Sequence, residues 1–204
     1  MSYSKRIQNA LRLFKENKGI LRTAQAMRLG IHPEVIYQMQ SEGIIEQLAR
    51  GLYRLADLPP FDNTDLATVA LAVPKGVICL ISALSYYDLT SQIPRQVDIA
   101  CRRGTKRPSL EYPPIRVFYF SGKAFDFGIQ ERQLDGVSLR IYSQEKTLAD
   151  CFKYRHRIGL DVVVEALKTY WNEKRGNVDK LMESARVCRV EKIMKPYIEG
   201  IIHG

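Results

Sequence analysis

In the segment that follows Pro33, apolar side chains recur at helical spacing. The predicted helix would therefore have one apolar face and one polar face. That face carries a carboxylate, a phenol, an amide and a hydroxyl, from Glu34, Tyr37, Gln38 and Ser41. Ile36 and Met39 lie three positions apart and are predicted to be buried. Amide and hydroxyl groups on an exposed helix can hydrogen-bond to base edges in the major groove, so this helix is a candidate DNA reader. Pro33 suits the first helical position. Tyr37 could equally pack against the hairpin that is predicted to follow this helix.

Two arginines stand in the next apolar stretch. Arg50 and Gly51 separate two short runs of strand-forming residues, and Gly51 can adopt the positive φ of a tight turn. We therefore predict a hairpin with Arg50 at its tip. If Tyr53 and Leu55 face the helices, Arg54 faces away from them. Both guanidinium groups would then be available to DNA phosphates.

Two further helices are predicted before this segment. The first places Ile7 and Phe14 on one apolar face. The second is short, with Thr23 as its N-cap and Gly30 at its end, and Thr23 with the amides of this helix start is suited to a phosphate. The order of helix, short helix, glycine turn, helix and hairpin predicts a winged helix-turn-helix.

Two consecutive prolines, Pro59 and Pro60, mark the predicted boundary between two domains, because they fit neither a helix interior nor a central strand. The predicted domains are residues 1–58, the winged helix-turn-helix, and residues 59–204. The net charge of the chain is +9. Residues 1–55 hold nine basic and four acidic residues, which gives +5, more than half of the surplus. A basic first domain suggests a polyanionic partner.

The second domain is predicted to be α+β, with a small antiparallel sheet and a helical C-terminal portion. Strands are expected at residues 96–101, 115–120, 129–134 and 137–141, and helices at residues 64–72, 83–89, 144–154, 160–171, 178–187 and 190–201. Asp135 and Gly136 are typical of a hairpin turn between the last two strands. The apolar run from Val77 to Ile81 is either a buried strand or a lead-in to a helix capped by Ser82.

The sequence contains none of the catalytic motifs that we searched for. We therefore do not expect the protein to be an enzyme or to bind a cofactor. The sequence has no G-x-S-x-G, no phosphate-binding loop and no G-x-G-x-x-G. Asp98 lies on a predicted strand, but no E-x-K or D-x-K unit follows to complete a metal-dependent nuclease site. Glu145 and Asp150 are five positions apart, so they lie on different faces of their helix. Glu145 is better explained as a charge at a helix start, and Asp150 as a structural hydrogen-bond partner.

The cysteine content and the hydropathy of the chain indicate the cellular compartment in which the protein is expected. Four cysteines are scattered without C-x-x-C pairs or a histidine at ligand spacing, so we expect no metal site and reduced, buried thiols. The N-terminus has no unbroken apolar run, and the most apolar stretch of the chain is interrupted by Pro74, Lys75 and Gly76. These patterns favour a cytoplasmic protein without a membrane partner.

A second basic segment surrounds Gly104 in the second domain. It consists of Arg102, Arg103, Lys106 and Arg107. Such a run is usually a solvated loop, but it could also contact DNA or an acidic partner.

Three segments carry a resemblance to a known family. They are "GIIEQLARGLYRL", "ICLISALSYYDLT" and "YSQEKTLADCFKYRHRIGLDVVVEALKTY", the last of which holds the more specific "YS-x-E-K-T-L-A-D" pattern. In this order the chain resembles the AbiEi-type antitoxins of type IV, abortive-infection toxin–antitoxin systems, over nearly its whole length.

The resemblance implies a bacterial DNA-binding repressor and antitoxin involved in phage defence. Its N-terminal domain would bind inverted repeats in its own promoter, a double-stranded DNA partner. Its C-terminal domain would be needed to neutralise a nucleotidyltransferase-like toxin, without a stable complex being required. A stand-alone winged-helix regulator, or a protein-interaction module without antitoxin activity, is the alternative.

Overall fold

The computed structural model describes residues 4–173 and 176–203. Its N-terminal part consists of three helices and a small sheet: α1 (Lys5–Glu16), β1 (Ile20–Arg22), α2 (Thr23–Arg28), α3 (Pro33–Ser41), β2 (Ile45–Ala49) and β3 (Leu52–Leu55). The strand order is β1-β3-β2, and all neighbours are antiparallel. The hairpin predicted around Arg50 and Gly51 is confirmed, and Gly51 has a φ of 69°. The short strand β1 was not predicted, because three residues carry too little periodicity to be recognised.

A small core holds these helices against the sheet. The apolar face of α1 buries Ile7 and Phe14, as its spacing predicts. Ile36 and Met39 of α3 are buried beside them, which confirms their prediction. Tyr53 from β3 closes this core from the sheet side. The remaining face of α3 is therefore free to carry polar side chains.

The C-terminal part alternates helices and strands before ending in helices. In chain order its elements are α4 (Thr64–Ala72), β4 (Val77–Ile78), α5 (Leu80–Tyr86), β5 (Val97–Arg102), β6 (Ile115–Phe120), α6 (Lys123–Asp126), β7 (Ile129–Leu134), β8 (Val137–Tyr142), α7 (Gln144–Lys153), α8 (Arg155–Ile158), α9 (Leu160–Glu173), α10 (Val178–Cys188) and α11 (Glu191–His203). The fold is α+β, as predicted from the sequence.

The sheet of this part is mixed, so the prediction of a small antiparallel sheet is wrong here. Its five strands lie in the order β6-β5-β4-β8-β7. The pairs β5–β6 and β4–β8 are parallel, whereas β4–β5 and β7–β8 are antiparallel. The segment 103–114 is long enough to return the chain to the edge of the sheet where β5 begins. This return permits the parallel pairing of β5 and β6. Only the β7–β8 hairpin has a local signal, its Asp135-Gly136 turn.

Helices α5 and α7 pack beside the sheet, and α9, α10 and α11 complete a large apolar core with residues such as Leu148, Phe152 and Leu167. The start of α5 differs from the prediction, because the helix begins at Leu80 and Ser82 lies inside it. The Ser82 hydroxyl accepts a hydrogen bond from the Asp98 amide at 2.8 Å. Ser82 therefore ties α5 to β5 instead of capping a helix.

The two parts are in contact. Phe61, Ala67 and Val137 form a small buried cluster, against which Ile20 and Leu48 of the N-terminal sheet pack. The backbone amide of Asp62 also donates to the Asp135 carboxylate at 2.8 Å. The boundary predicted between residues 58 and 59 falls in the segment that joins β3 to α4. Within residues 4–173 and 176–203, no helix is both long and apolar enough to cross a membrane.

Candidate nucleic-acid interface

The exposed face of α3 carries the side chains that the sequence predicts. Tyr37 is 66% exposed. Gln38 and Ser41 are also exposed, and Pro33 occupies the first turn of the helix. The helix thus presents a phenol, an amide and a hydroxyl to solvent on the side away from its buried Ile36. Such a face can exchange its hydrogen bonds with water for hydrogen bonds with a ligand.

Local hydrogen bonds order this face. The Gln38 side-chain amide donates to the Glu42 carboxylate at 2.7 Å, and the Ser41 hydroxyl donates to the Gln38 carbonyl at 2.9 Å. At the other end of the helix, the His32 ring accepts from the Glu34 amide at 3.4 Å. Burial raises the pKa of the Tyr53 phenol, and nearby Tyr37 raises it further. A tyrosine hydroxyl is already neutral at physiological pH at its ordinary pKa, so this shift leaves the charge beside α3 unchanged.

The hairpin tip lies against the start of α2. Arg50 is exposed at the turn, as predicted. The Thr23 amide donates to the Gly51 carbonyl at 2.9 Å, and a Cβ atom on Gly51 would lie 3.3 Å from the Thr23 hydroxyl. Thr23 is already helical and Arg22 occupies the cap position without a side-chain bond, so the prediction of Thr23 as N-cap is wrong. Its amide is used to hold the hairpin, and is not directed at a phosphate.

Arg54 does not face solvent, and the prediction of an outward-facing DNA contact is wrong. The residue is 5% exposed. Its Nη1 lies 2.7 Å from the Glu46 carboxylate, and its Nη2 donates to the Pro59 carbonyl. Its guanidinium carbon lies 4.5 Å from the centroid of the Phe61 ring. The outer face of β3 is covered by the segment that leads to α4, so Arg54 joins the two parts of the protein.

The N-terminal part also carries exposed basic side chains outside α3. They come from α1, from the segment after it and from α2: Lys5, Arg6, Arg12, Lys15, Lys18 and Arg28. Arg12 is paired with Glu16 at 2.7 Å. A cleft of about 420 Å³ separates α1 from the start of α3, and Arg6 and His32 line it. The N-terminal part therefore combines positive charge with an exposed polar helix face, although α3 itself carries no Lys or Arg.

Two of the acidic residues considered for catalysis, Asp98 and Asp150, are held by basic partners. Asp98 accepts two hydrogen bonds from Arg116, each 2.7 Å long. Burial raises the pKa of Asp98, although the hydrogen bonds from Arg116 oppose the shift. Asp150 lies 2.5 Å from the Lys146 ammonium and accepts a hydrogen bond from the Cys188 thiol at 3.3 Å. The structural interpretation of Asp150 is confirmed.

Glu145 lies in the first turn of α7, as predicted, and its carboxylate accepts from the Tyr170 hydroxyl at 3.0 Å. Sequence reasoning overlooked Lys146, although its position four residues before Asp150 is the spacing of a helical ion pair. Among the residues that the structure describes, no three His, Cys, Asp or Glu side chains gather as a metal site would require.

Fold and site together define an α+β protein whose basic N-terminal part presents an exposed polar helix face. Residues 8–56 match the family described as "Transcriptional regulator, AbiEi antitoxin". This segment runs from within α1 to the end of β3 and contains the whole exposed face of α3. The resemblance to AbiEi-type antitoxins is thereby confirmed over this segment. A search of curated proteins found no match to the chain.

Proposed function

We propose that the chain is a DNA-binding transcriptional repressor and antitoxin, whose residues 5–55 act as a winged helix-turn-helix. The observation that carries this proposal is the exposed polar face of α3, which occurs together with an exposed Arg50 at the hairpin tip in the segment that matches the family of regulators. A helix with this face fits the major groove, and a basic hairpin tip fits the adjacent backbone.

Each side chain has a different role in the proposed complex. Gln38 and Ser41 contact base edges, because an amide and a hydroxyl can each donate and accept hydrogen bonds. Tyr37 contacts the groove wall or the sugar–phosphate backbone. Arg50 binds a phosphate, and Thr23 supports it by holding Gly51 through the backbone. Pro33 fixes the start of the reading helix.

The proposed target is the promoter of the chain's own operon, at inverted repeats. A reporter under that promoter should be repressed when the full chain is supplied, and the variant Tyr37→Ala/Gln38→Ala should restore expression. The variant Lys168→Gln is the control, since Lys168 is exposed on α9 away from the N-terminal part. Repression that is equal for all three proteins would refute promoter recognition by α3.

The proposed antitoxin activity resides in the C-terminal α+β part. It is exerted in the cytoplasm without catalysis and does not require a stable complex with the toxin. Its target is a nucleotidyltransferase-like toxin encoded beside the chain. Co-expression should restore growth to cells that produce the toxin, and residues 59–204 should be required for the rescue. Continued growth arrest with the full chain present would contradict the antitoxin proposal and would leave the DNA-binding proposal standing.

A second candidate is a protein-interaction module, favoured by exposed apolar side chains near the turn between α2 and α3. Met27 is 53% exposed and Leu29 is 40% exposed. A protein partner would cover these residues, whereas DNA contact needs the polar face of α3. The double variant Met27→Ser/Leu29→Ser should leave promoter repression intact if the first proposal holds, and should abolish partner binding if the second holds.

A further inference from the structure

A cavity in the C-terminal part collects positive charge from three separate segments. Its volume is about 480 Å³, which lies within the range of roughly 300–1,000 Å³ typical of small-molecule sites. Lys75 comes from the turn between α4 and β4, Arg102 and Lys106 from the end of β5 and the loop after it, and Arg140 from β8. Asp126 is the acidic residue among the side chains that line it.

The charges around this cavity are poorly compensated within the part of the chain that the structure describes. Asp126 is paired with Arg102. Arg140 is half-buried, and its guanidinium donates to the Lys75 carbonyl at 3.0 Å, without a carboxylate partner among the described residues. Lys75 and Lys106 are exposed and likewise have no carboxylate within ion-pair distance there. Like charges around one cavity repel each other, and a bound anion relieves that repulsion.

One wall of the cavity is apolar. Val73, Cys101, Pro108 and Phe125 supply it. Cys101 and Phe125 are themselves buried, so this wall is part of the packed core and is preformed. The guanidinium carbon of Arg102 lies 4.8 Å from the centroid of the Phe125 ring, and this contact orients the cation at the rim. An apolar wall with cations on several sides suits a ligand that has a planar or apolar portion and a phosphate group.

We propose that this cavity binds a phosphorylated small molecule of mononucleotide size, with its phosphates at Lys75, Lys106 and Arg140 and its nucleoside against Val73 and Pro108. This site is separate from α3 and does not depend on DNA binding. The basic loop after β5 thus becomes one wall of a ligand site, which gives Lys106 a role beyond that of a solvated charge.

Calorimetric titration of the full chain with ATP, AMP, adenosine and pyrophosphate tests the proposal. We expect saturable nucleotide binding, with ATP and AMP bound more tightly than either adenosine or pyrophosphate, because only the nucleotides use both the cations and the apolar wall. Lys75→Gln/Arg140→Gln should weaken nucleotide binding by about tenfold or more. The charge-matched control Arg157→Gln/Lys168→Gln removes the same two residue types at exposed positions outside the cavity and should leave affinity unchanged.

Two measures keep the test decisive. Lys75 is exposed, so Lys75→Glu probes the cavity without disturbing the half-buried Arg140, and thermal unfolding checks that each variant is folded. The same variants are titrated with promoter DNA. Absence of nucleotide binding, equal affinity for pyrophosphate and nucleotide, or nucleotide affinity that the cavity variants leave unchanged would overturn the proposal. It would also be overturned if these variants weakened only DNA binding, since the cations would then serve DNA phosphates.

Discussion

At the residue scale, two arginines four positions apart have opposite environments. Arg50 is exposed at a turn, whereas Arg54 is 5% exposed. Strand alternation predicts that Arg54 faces away from the helices, but it does not predict what covers that second face. Pro59 and Phe61, which follow in the chain, supply that cover. A local pattern predicts the direction of a side chain, and tertiary contacts then decide whether that direction leads to water.

Replacement of Arg54 should destabilise the protein. Arg54→Ala removes the ion pair with Glu46, the bond to the Pro59 carbonyl and the contact with Phe61. Glu46 is about half exposed and can be rehydrated, so we expect a loss of about 2 kcal/mol in the free energy of unfolding, measured by urea denaturation. Arg50→Ala is the control and should change that energy by less than about 0.5 kcal/mol. Equal stability of the two variants would contradict the structural role of Arg54.

A second residue-scale feature is the ion pair of Lys146 and Asp150, which is buried in the C-terminal core. Both side chains are at most 1% exposed, and the Lys146 ammonium lies 4.1 Å from the centroid of the Tyr142 ring. Burial raises the pKa of the Asp150 carboxyl, and Lys146 opposes this shift. Removal of one buried charge leaves the other without its partner, which costs more than removal of both.

We therefore expect non-additive effects at this pair. Lys146→Met should lower the free energy of unfolding by about 3–5 kcal/mol, because the Asp150 carboxylate loses its counter-ion. Lys146→Met/Asp150→Leu should recover most of that loss. Chemical denaturation of Lys146→Met, of Asp150→Leu and of the double variant gives the free energies for a double-mutant cycle. If the double variant lost as much free energy of unfolding as the two single variants lose together, the two charges would not stabilise each other.

At the element scale, the sequence predicts best where signals are local. The bounds of α3 follow from Pro33 at its start and a glycine after its end, and the exposed and buried faces follow from the spacing of its side chains. The β2–β3 and β7–β8 hairpins follow from their turn residues. The parallel pairs of the larger sheet have no such signal, because no tight turn joins their strands; Ile78, for example, pairs with Ile141. Lys75 and Arg140 were not connected with the basic segment around Gly104 for the same reason, since these residues come together only through this sheet.

Helix α3 and the hairpin should contribute differently to DNA binding. Gln38→Ala removes a group proposed to contact a base, so it should weaken binding to the operator by about 1–3 kcal/mol and leave binding to unrelated DNA nearly unchanged. Arg50→Ala removes a phosphate contact, so it should weaken binding to every DNA sequence. It should also reduce the slope of log affinity against log salt concentration by about one. Fluorescence anisotropy with both DNAs measures these changes. Similar losses on both DNAs for the two variants would refute this division of roles.

At the scale of the whole molecule, the N-terminal part is joined to the C-terminal part through several contacts. Ile20 and Leu48 pack against the cluster that holds Phe61 and Val137, Arg54 binds the Pro59 carbonyl and Arg22 binds the Leu71 carbonyl. The domain boundary between residues 58 and 59 stays a prediction. The sequence does predict the α+β class, because helical and strand patterns are visible along the chain. It does not predict this packing, because the contacting residues are ordinary apolar and basic side chains that are distant in sequence.

The most direct test of the central claim is the affinity of the full chain for DNA from its own upstream region. That affinity is compared with the affinity for a scrambled duplex of equal length and composition, over a series of salt concentrations. We expect the upstream DNA to bind more tightly, by a factor on the order of 10³ or more, and we expect both affinities to fall steeply as salt rises. Absence of binding at low salt, or equal affinity for the two duplexes, would contradict the claim that α3 reads DNA.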